Sequence, residues 1–216
     1  MSNQPAQQKV LTDFFHQGTR LTYQKGEFII RPGETPSGVF FIEKGLVKTY
    51  DITKYGEENL LVIRKEGELL GMTWALTSKP KQVIYAALAP TTVWLMTTDK
   101  FENLLQNTPA VALPLLQLVT DMYRVHSERI LNLEYRTVRE RLISFLLSMA
   151  NRFGTEEPTG ILIDVPLRHQ DIASSISATR ETTGREITAL ERKGLLSNSS
   201  SRIVLHDIPA LQQFLV

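Results

Sequence analysis

Leu167-Arg168-His169-Gln170-Asp171-Ile172-Ala173 and, five residues on, Thr179-Arg180-Glu181-Thr182-Thr183-Gly184-Arg185-Glu186-Ile187-Thr188-Ala189-Leu190-Glu191-Arg192-Lys193-Gly194-Leu195-Leu196 decide how this chain folds. Two short helices are expected, Arg168 to Ser175 and Thr179 to Arg192, separated by Ile176-Ser177-Ala178 alone. Ile172, Ala173, Ile176, Ile187, Leu190 and Leu195 supply the apolar contacts that let them cross. Thr179 is placed to cap the second helix at its start, and Gly194 to stop it at its end. Before them, a helix over Thr137 to Arg152 carries Val138, Leu142, Phe145, Leu146 and Met149 on one side. A loop from Gly154 to Gly160 and a strand over Ile161 to Val165 follow it. After them come a serine-rich turn, a strand over Arg202 to His206 and a short helix over Ile208 to Val216. Helix, strand, helix, tight turn, helix and hairpin is the order of a winged helix-turn-helix, whose second helix enters the DNA major groove. On that helix Arg180 and Arg185 diverge by about 140° around the axis at about 100° per residue, with Glu181 beside the first. Arginine matches the O6 and N7 acceptors of guanine, and a carboxylate accepts from cytosine N4, so these three are the candidate base readers.

Working outward, Val111, Leu115, Leu118, Met122 and Val125 recur at spacings of four, three, four and three, as on one side of a helix. Leu116, Val119, Tyr123, His126, Ile130 and Leu133 form a second stripe beside the first. A helix from Val111 to Tyr135 would be about 37 Å long, more than one small domain needs, so one stripe faces its own domain and the other a partner. The first stripe is assigned to a second copy of the chain. Still earlier, Phe28–Ile30, Val39–Ile42, Leu46–Tyr50, Leu60–Ile63, Ile84–Leu88 and Val93–Met96 are short β-prone runs separated by glycines and prolines. That rhythm predicts an antiparallel β-sandwich or barrel.

Composition fits a globular protein: 216 residues, 24 Lys plus Arg against 23 Asp plus Glu, and 42% hydrophobic. With no cysteine, disulfides, thiolate zinc sites and cysteine-ligated iron–sulfur clusters are excluded. The four histidines, His16, His126, His169 and His206, are scattered, and neither a nucleophile elbow nor a phosphate-binding loop is present, which argues against an enzyme. Met1 to Lys9 is polar and no apolar run reaches about 18 residues, so a cytoplasmic protein without a membrane partner is expected. From Val138 to Val216, eight Arg and one Lys balance nine acids, so DNA binding depends on local placement rather than on bulk charge. Arg168, His169, Thr182 and Arg202 are the candidate phosphate contacts.

The stretch from about Lys25 onward resembles the Crp/Fnr superfamily of bacterial transcription regulators. The likeness rests on Lys25-Gly26-Glu27, Pro32-Gly33-Glu34, Phe41-Ile42-Glu43-Lys44-Gly45-Leu46-Val47 and Gly67-Glu68-Leu69-Leu70-Gly71, followed by the long helix and the helix-turn-helix. It implies an α+β chain: an N-terminal cyclic-nucleotide-binding-type β-roll (jelly-roll) over 1–110, a dimerisation helix over 111–136 and a DNA-binding domain over 137–216. It also implies a homodimer on an inverted-repeat operator, contact with RNA polymerase, and an effector pocket between β-roll and helix. Arg180-Glu181…Arg185 matches the base-reading trio of the cyclic-AMP receptor protein, whose half-site is TGTGA.

Two departures stand out. Cyclic-nucleotide binders of the family carry a glutamate where this chain has Met72, and an Arg-Ser or Arg-Thr pair where it has Gln82-Val83. Burying a cyclic phosphate without a cationic partner is costly, so cyclic AMP is not expected as effector. The implied pocket wall comprises Gly71, Met72, Thr73, Trp74, Gln82, Val83 and Tyr85, with Tyr123, His126 and Ser127 from the long helix. Such a lining suits a small organic effector; equally, Met72 and Trp74 could fill the space and leave a regulator that needs no effector. A haem with His126 or His16 as axial ligand is a further alternative, although no cofactor is expected. The second departure is Ser177, standing where the family often has glycine in the helix-turn-helix bend, so a left-handed backbone there would be strained.

Overall fold

The computed structural model describes residues 4–77, 83–199 and 202–215. The chain divides into two compact units, Met1–Glu57 with Leu61–Val125 and Glu58–Leu60 with His126–Val216. One boundary, between Val125 and His126, falls inside the long helix, and the other two flank Glu58–Leu60.

In the first unit, helix α1 (Gln4–Phe15) precedes strands β1 (Thr19–Tyr23), β2 (Phe28–Ile30), β3 (Val39–Lys44), β4 (Leu46–Ile52), β5 (Glu58–Lys65, whose first three residues count with the second unit) and β6 (Leu69–Leu70). Helix α2 (Met72–Thr77), strands β7 (Ile84–Ala87) and β8 (Thr91–Met96) and helix α3 (Thr98–Asn107) follow. The strands form two four-stranded sheets, ordered β1-β8-β3-β6 and β2-β7-β4-β5. All the described pairings are antiparallel, as the short alternating runs predict. Strand β1 was not expected: Thr19-Arg20-Leu21-Thr22-Tyr23 turns only Leu21 and Tyr23 toward a core cluster, too few apolar residues to register as a run. One core is aromatic, with Phe15 stacked on Phe41 at 5.1 Å between ring centroids and Phe101 alongside.

A single 3-10 turn (Pro109–Val111) leads into α4 (Ala112–Tyr135). Here the assignment of the first stripe to a second copy is corrected over its first three residues. Val111 and Leu115 are buried in the same core as Phe15 and Phe101, and Leu118 packs against it. They are therefore closed to a second chain, and Met122 and Val125 behind them are half-buried. Of the other stripe, Leu116 is 61% exposed, Val119 43%, Tyr123 73% and Ile130 62%, while His126 and Leu133 are half-buried. Spacing alone could not separate the two, because both repeat every three to four residues; the β-domain under the start of the helix decides which one it covers.

The second unit holds α5 (Val138–Phe153), β9 (Gly154–Glu157), β10 (Gly160–Ile163), α6 (His169–Ser175), α7 (Arg180–Arg192), β11 (Leu196–Ser199), β12 (Arg202–Leu205) and α8 (Ile208–Gln213). Its sheet runs β11-β12-β10-β9. The expected loop from Gly154 to Gly160 is instead a strand and a two-residue turn, with Thr155 opposite Leu162 and Glu156 opposite Ile161. Its Gly-Thr-Glu-Glu sequence has no apolar alternation to read, as suits the edge of a sheet. Leu142, Ile143, Leu146, Ile172, Ile187, Leu190 and Leu205 are all buried. Thr137 starts α5 with a reciprocal cap: its hydroxyl accepts from the Glu140 backbone N–H, and the Glu140 carboxylate accepts from the Thr137 N–H at 2.8 Å.

Candidate nucleic-acid interface

Helices α6 and α7 end in the same way, and this sets the geometry between them. At the end of α7, Gly194 has φ +70°, its N–H donates to the Glu191 carbonyl, and Leu195 N–H donates back to Leu190. At the end of α6, Ser177 has φ +50°, its N–H donates to Ser174, and Ala178 N–H donates back to Ala173. Both are Schellman endings, one on glycine and one on serine. Thr179 then caps α7 by accepting from Thr182 N–H at 3.1 Å, as the sequence led one to expect.

The turn therefore starts α7 with its base-reading candidates outward. Arg180, Glu181 and Arg185 are all exposed. Arg185 donates to the Thr182 hydroxyl at 3.1 Å, which in turn lies 3.0 Å from Thr179 Oγ1. One turn along, Glu186 is not a reader but an anchor: Arg139 of α5 donates to its carboxylate at 2.6 Å, and this bond holds Arg139 above its usual value. Thr183, fully buried, faces inward.

Each of the four phosphate candidates has a partner within the chain. Arg168 forks onto Asp171, with Nε at 2.9 Å and a terminal nitrogen at 3.1 Å, and that pairing raises its pKa. Asp171 is only 5% exposed and also accepts from the Arg168 backbone N–H, so this arginine starts α6, and its terminal nitrogen lies 3.7 Å from a second carboxylate, that of Glu58. His169 Nε2 lies 2.7 Å from the Asn198 side-chain nitrogen, joining α6 to the wing strand β11. Arg202 donates to Glu157 at 3.0 Å across the sheet, an exposed pair of the sort worth ~0–1 kcal/mol and readily exchanged for a phosphate. Thr182 is held in the cap.

Sequence reasoning missed two arginines at the turn. Arg129 of α4 donates through Nε to the Ser175 carbonyl at 3.3 Å. Arg141 of α5 donates to the Ser177 carbonyl at 3.2 Å and to the Arg136 carbonyl at 3.1 Å. The one available signal was Ser177 itself, since a strained turn needs something outside it to hold it.

The residues 140–214 match the model of the Crp-like helix-turn-helix domain, and residues 20–108 that of the cyclic nucleotide-binding domain. The global nitrogen regulator of Synechocystis sp. is 31% identical over 194 residues, covering 89% of this chain and 86% of that protein. This chain belongs to the Crp/Fnr superfamily. The anaerobic regulatory protein of Bacillus subtilis is 26% identical, over 87% of this chain and 80% of its own length. Among solved structures, FixK2 from Bradyrhizobium japonicum superposes with a TM-score of 0.77 at 25% identity, over 91% of this chain and 96% of that one. A CooA mutant from Carboxydothermus hydrogenoformans gives 0.80 at 22% identity, over 95% and 94%, a likeness of fold. As a Crp/Fnr member the chain is a DNA-binding transcription regulator and not an enzyme, with the α+β fold expected for it.

Within the β-roll of this family member, Gly71 and Tyr85 come together. Burial pushes the Tyr85 phenol up, against the Arg64 charge and a hydrogen bond from the Gly71 backbone. Met72 and Trp74 pack against the aromatic core rather than standing apart from it, Thr73 is exposed and Val83 is half-buried. Gln82 lies outside the described residues. Tyr123 stands exposed on α4, and His126 and Ser127 follow in the second unit. His16 is 3.7 Å from Glu43 and tilted over Trp94 at 4.5 Å. Among the described residues no group of three or more His, Asp or Glu is gathered to hold a metal ion, and no helix is long and apolar enough to cross a membrane.

Proposed function

We propose that the chain works in the cytoplasm as a homodimer that reads an inverted-repeat operator through Arg180, Glu181 and Arg185. The observation that carries this is the exposure of all three on the first turns of a capped α7, with their neighbours Thr183 and Glu186 committed inward. Arg180 and Arg185 are assigned to guanines and Glu181 to a cytosine edge, giving a TGTGA-like half-site. Arg168, His169, Thr182 and Arg202 are assigned to phosphates, which position the helix without reading sequence; Arg168 would exchange its contact with Glu58 for one. The second copy is assigned to the outward residues of α4: Leu116, Val119, Tyr123 and Ile130 stand exposed at spacings of three, four and seven, in register with a two-stranded coiled coil.

For the β-roll two readings are carried forward: the implied wall, Gly71, Met72, Thr73, Trp74, Gln82, Val83 and Tyr85 with Tyr123, His126 and Ser127, is assigned to a small effector other than cyclic AMP, or else the space is filled. The packing of Met72 and Trp74 on the aromatic core favours the second reading, a filled site and a regulator set by its own abundance. RNA polymerase is the expected partner of the DNA-bound dimer. Selection from random DNA tests the base assignment. A guanine-containing half-site whose preference at one position relaxes in Arg180→Ala, at a cost of about 1–3 kcal/mol, is expected. A motif without guanine, or one unchanged by the substitution, overturns it.

A further inference from the structure

The bend between α6 and α7 is the only described place where a residue other than glycine has a positive φ, and it orients the recognition helix. A serine there pays a steric penalty that glycine escapes, so the turn leans toward another conformation unless something outside it resists. The last carbonyls of α6 show what does. Those of Ile172, Ala173 and Ser174 are taken by backbone N–H groups of the ending itself. Those of Ser175 and Ser177 are taken by side chains, Arg129 from α4 and Arg141 from α5. Arg141 does more than cap. Its two terminal nitrogens reach two carbonyls, that of Ser177 in the bend and that of Arg136, just past the end of α4. Arg136 N–H still donates back to Asn132 of α4, and the Asn132 side chain donates to Ser144 of α5 at 2.8 Å, so the far end of the clamp is itself fixed. A planar guanidinium spans two acceptors at once; an ammonium on a flexible stem does not hold two carbonyls in one geometry.

We propose that Arg141 is a positioning residue for DNA recognition: by tying the end of the long helix to the Ser177 bend, it sets the angle at which α7 presents Arg180, Glu181 and Arg185. The proposal rests on α7 being the base-reading helix. It touches no base and no phosphate itself, so its loss should harm the choice among sequences more than the general attraction to DNA.

The test measures binding of the full-length protein to its selected operator and to an unrelated duplex, across a salt series, for Arg141→Ala, Arg141→Lys, Ser177→Gly and the Arg141→Ala/Ser177→Gly pair. Circular dichroism confirms folding at the assay temperature. Arg141→Ala is expected to lower operator affinity about 10-fold and that for the unrelated duplex by less than about 2-fold, with the salt slope unchanged. Arg141→Lys keeps the charge but not the fork and is expected to behave like the alanine variant. Ser177→Gly, harmless alone, is expected to recover most of the loss in the Arg141→Ala background, because glycine needs no clamp to stay in the bend. Equal losses on both duplexes, a slope reduced by about one with rescue by lysine, or no recovery by glycine would each overturn the proposal; the second outcome would make Arg141 a phosphate contact. If Arg141→Ala does not fold, the lysine variant, with and without Ser177→Gly, carries the same comparison. The Arg180→Ala variant run alongside separates the two ideas: unchanged base preference there refutes the base-reading assignment, whereas the Arg141 and Ser177 coupling is judged on its own cycle.

Discussion

Ser177 and Gly194 do the same conformational work at the ends of neighbouring helices, and the comparison isolates what a side chain costs there. A Cβ added at Gly194 meets nothing within 4 Å, so any penalty at that position belongs to the backbone alone. Gly194→Ala is therefore expected to lower stability by about 1 kcal/mol, and Ser177→Gly to raise it by about 0.5–1 kcal/mol, somewhat less than the full left-handed penalty because glycine also loosens the unfolded chain. Urea unfolding checks both: the midpoints should move in opposite directions with the slope unchanged, and a Ser177→Gly protein less stable than its parent would mean that the serine side chain contributes something the turn geometry does not show. The strain at Ser177 was legible in the sequence only through the family resemblance, which puts glycine where this chain has serine in the bend. The arginines that hold it were not, since Arg141 lies 36 positions away in sequence. Contacts of that kind exist only once the fold has brought α5 against the bend. The exposure of Arg180, Glu181 and Arg185, the proposed base readers, was legible for the opposite reason: residues at a capped helix start owe their placement to local signals.

The long helix shows where periodicity stops being informative. Both stripes of α4 have helical spacing and similar apolar content, and the one that starts with Val111 and Leu115 is consumed by the first unit's core as far as Leu118. The two assignments differ in what substitution does. Leu115→Ala removes a buried side chain and is expected to cost about 2–5 kcal/mol of stability while leaving the oligomeric state alone. Leu116→Glu combined with Ile130→Glu should leave the fold intact and raise the dimer dissociation constant by about 100-fold or more, because each places a charge in an apolar seam. Sedimentation and thermal unfolding, run on the same preparations, tell the two patterns apart. A Leu116→Glu/Ile130→Glu protein that remains dimeric at micromolar concentration would remove α4 as the seam.

For the whole molecule, two copies joined along α4 present two α7 helices related by one axis, so the DNA they read must share that axis. Recognition helices that enter successive major grooves on one face of the duplex are about 34–36 Å apart, which places the half-sites about one helical turn from centre to centre. Inserting about five base pairs between them rotates one half-site to the far side of the duplex and is expected to abolish tight binding, whereas about ten restores the face but doubles the separation. Affinity after the ten-base-pair insertion therefore reports how rigidly the dimer holds its two helices: recovery to near the original value would require a compliant joint between the two units. The same operator also tests the effector reading. Met72 and Val83 provide no cationic partner for a cyclic phosphate, so adding millimolar cyclic AMP is expected to leave operator affinity and melting temperature unchanged. A tightening of binding, with a rise in melting temperature that saturates in the nucleotide, would show that the phosphate has found a partner elsewhere in the β-roll, where Arg64 beside Tyr85 is the cation to substitute first.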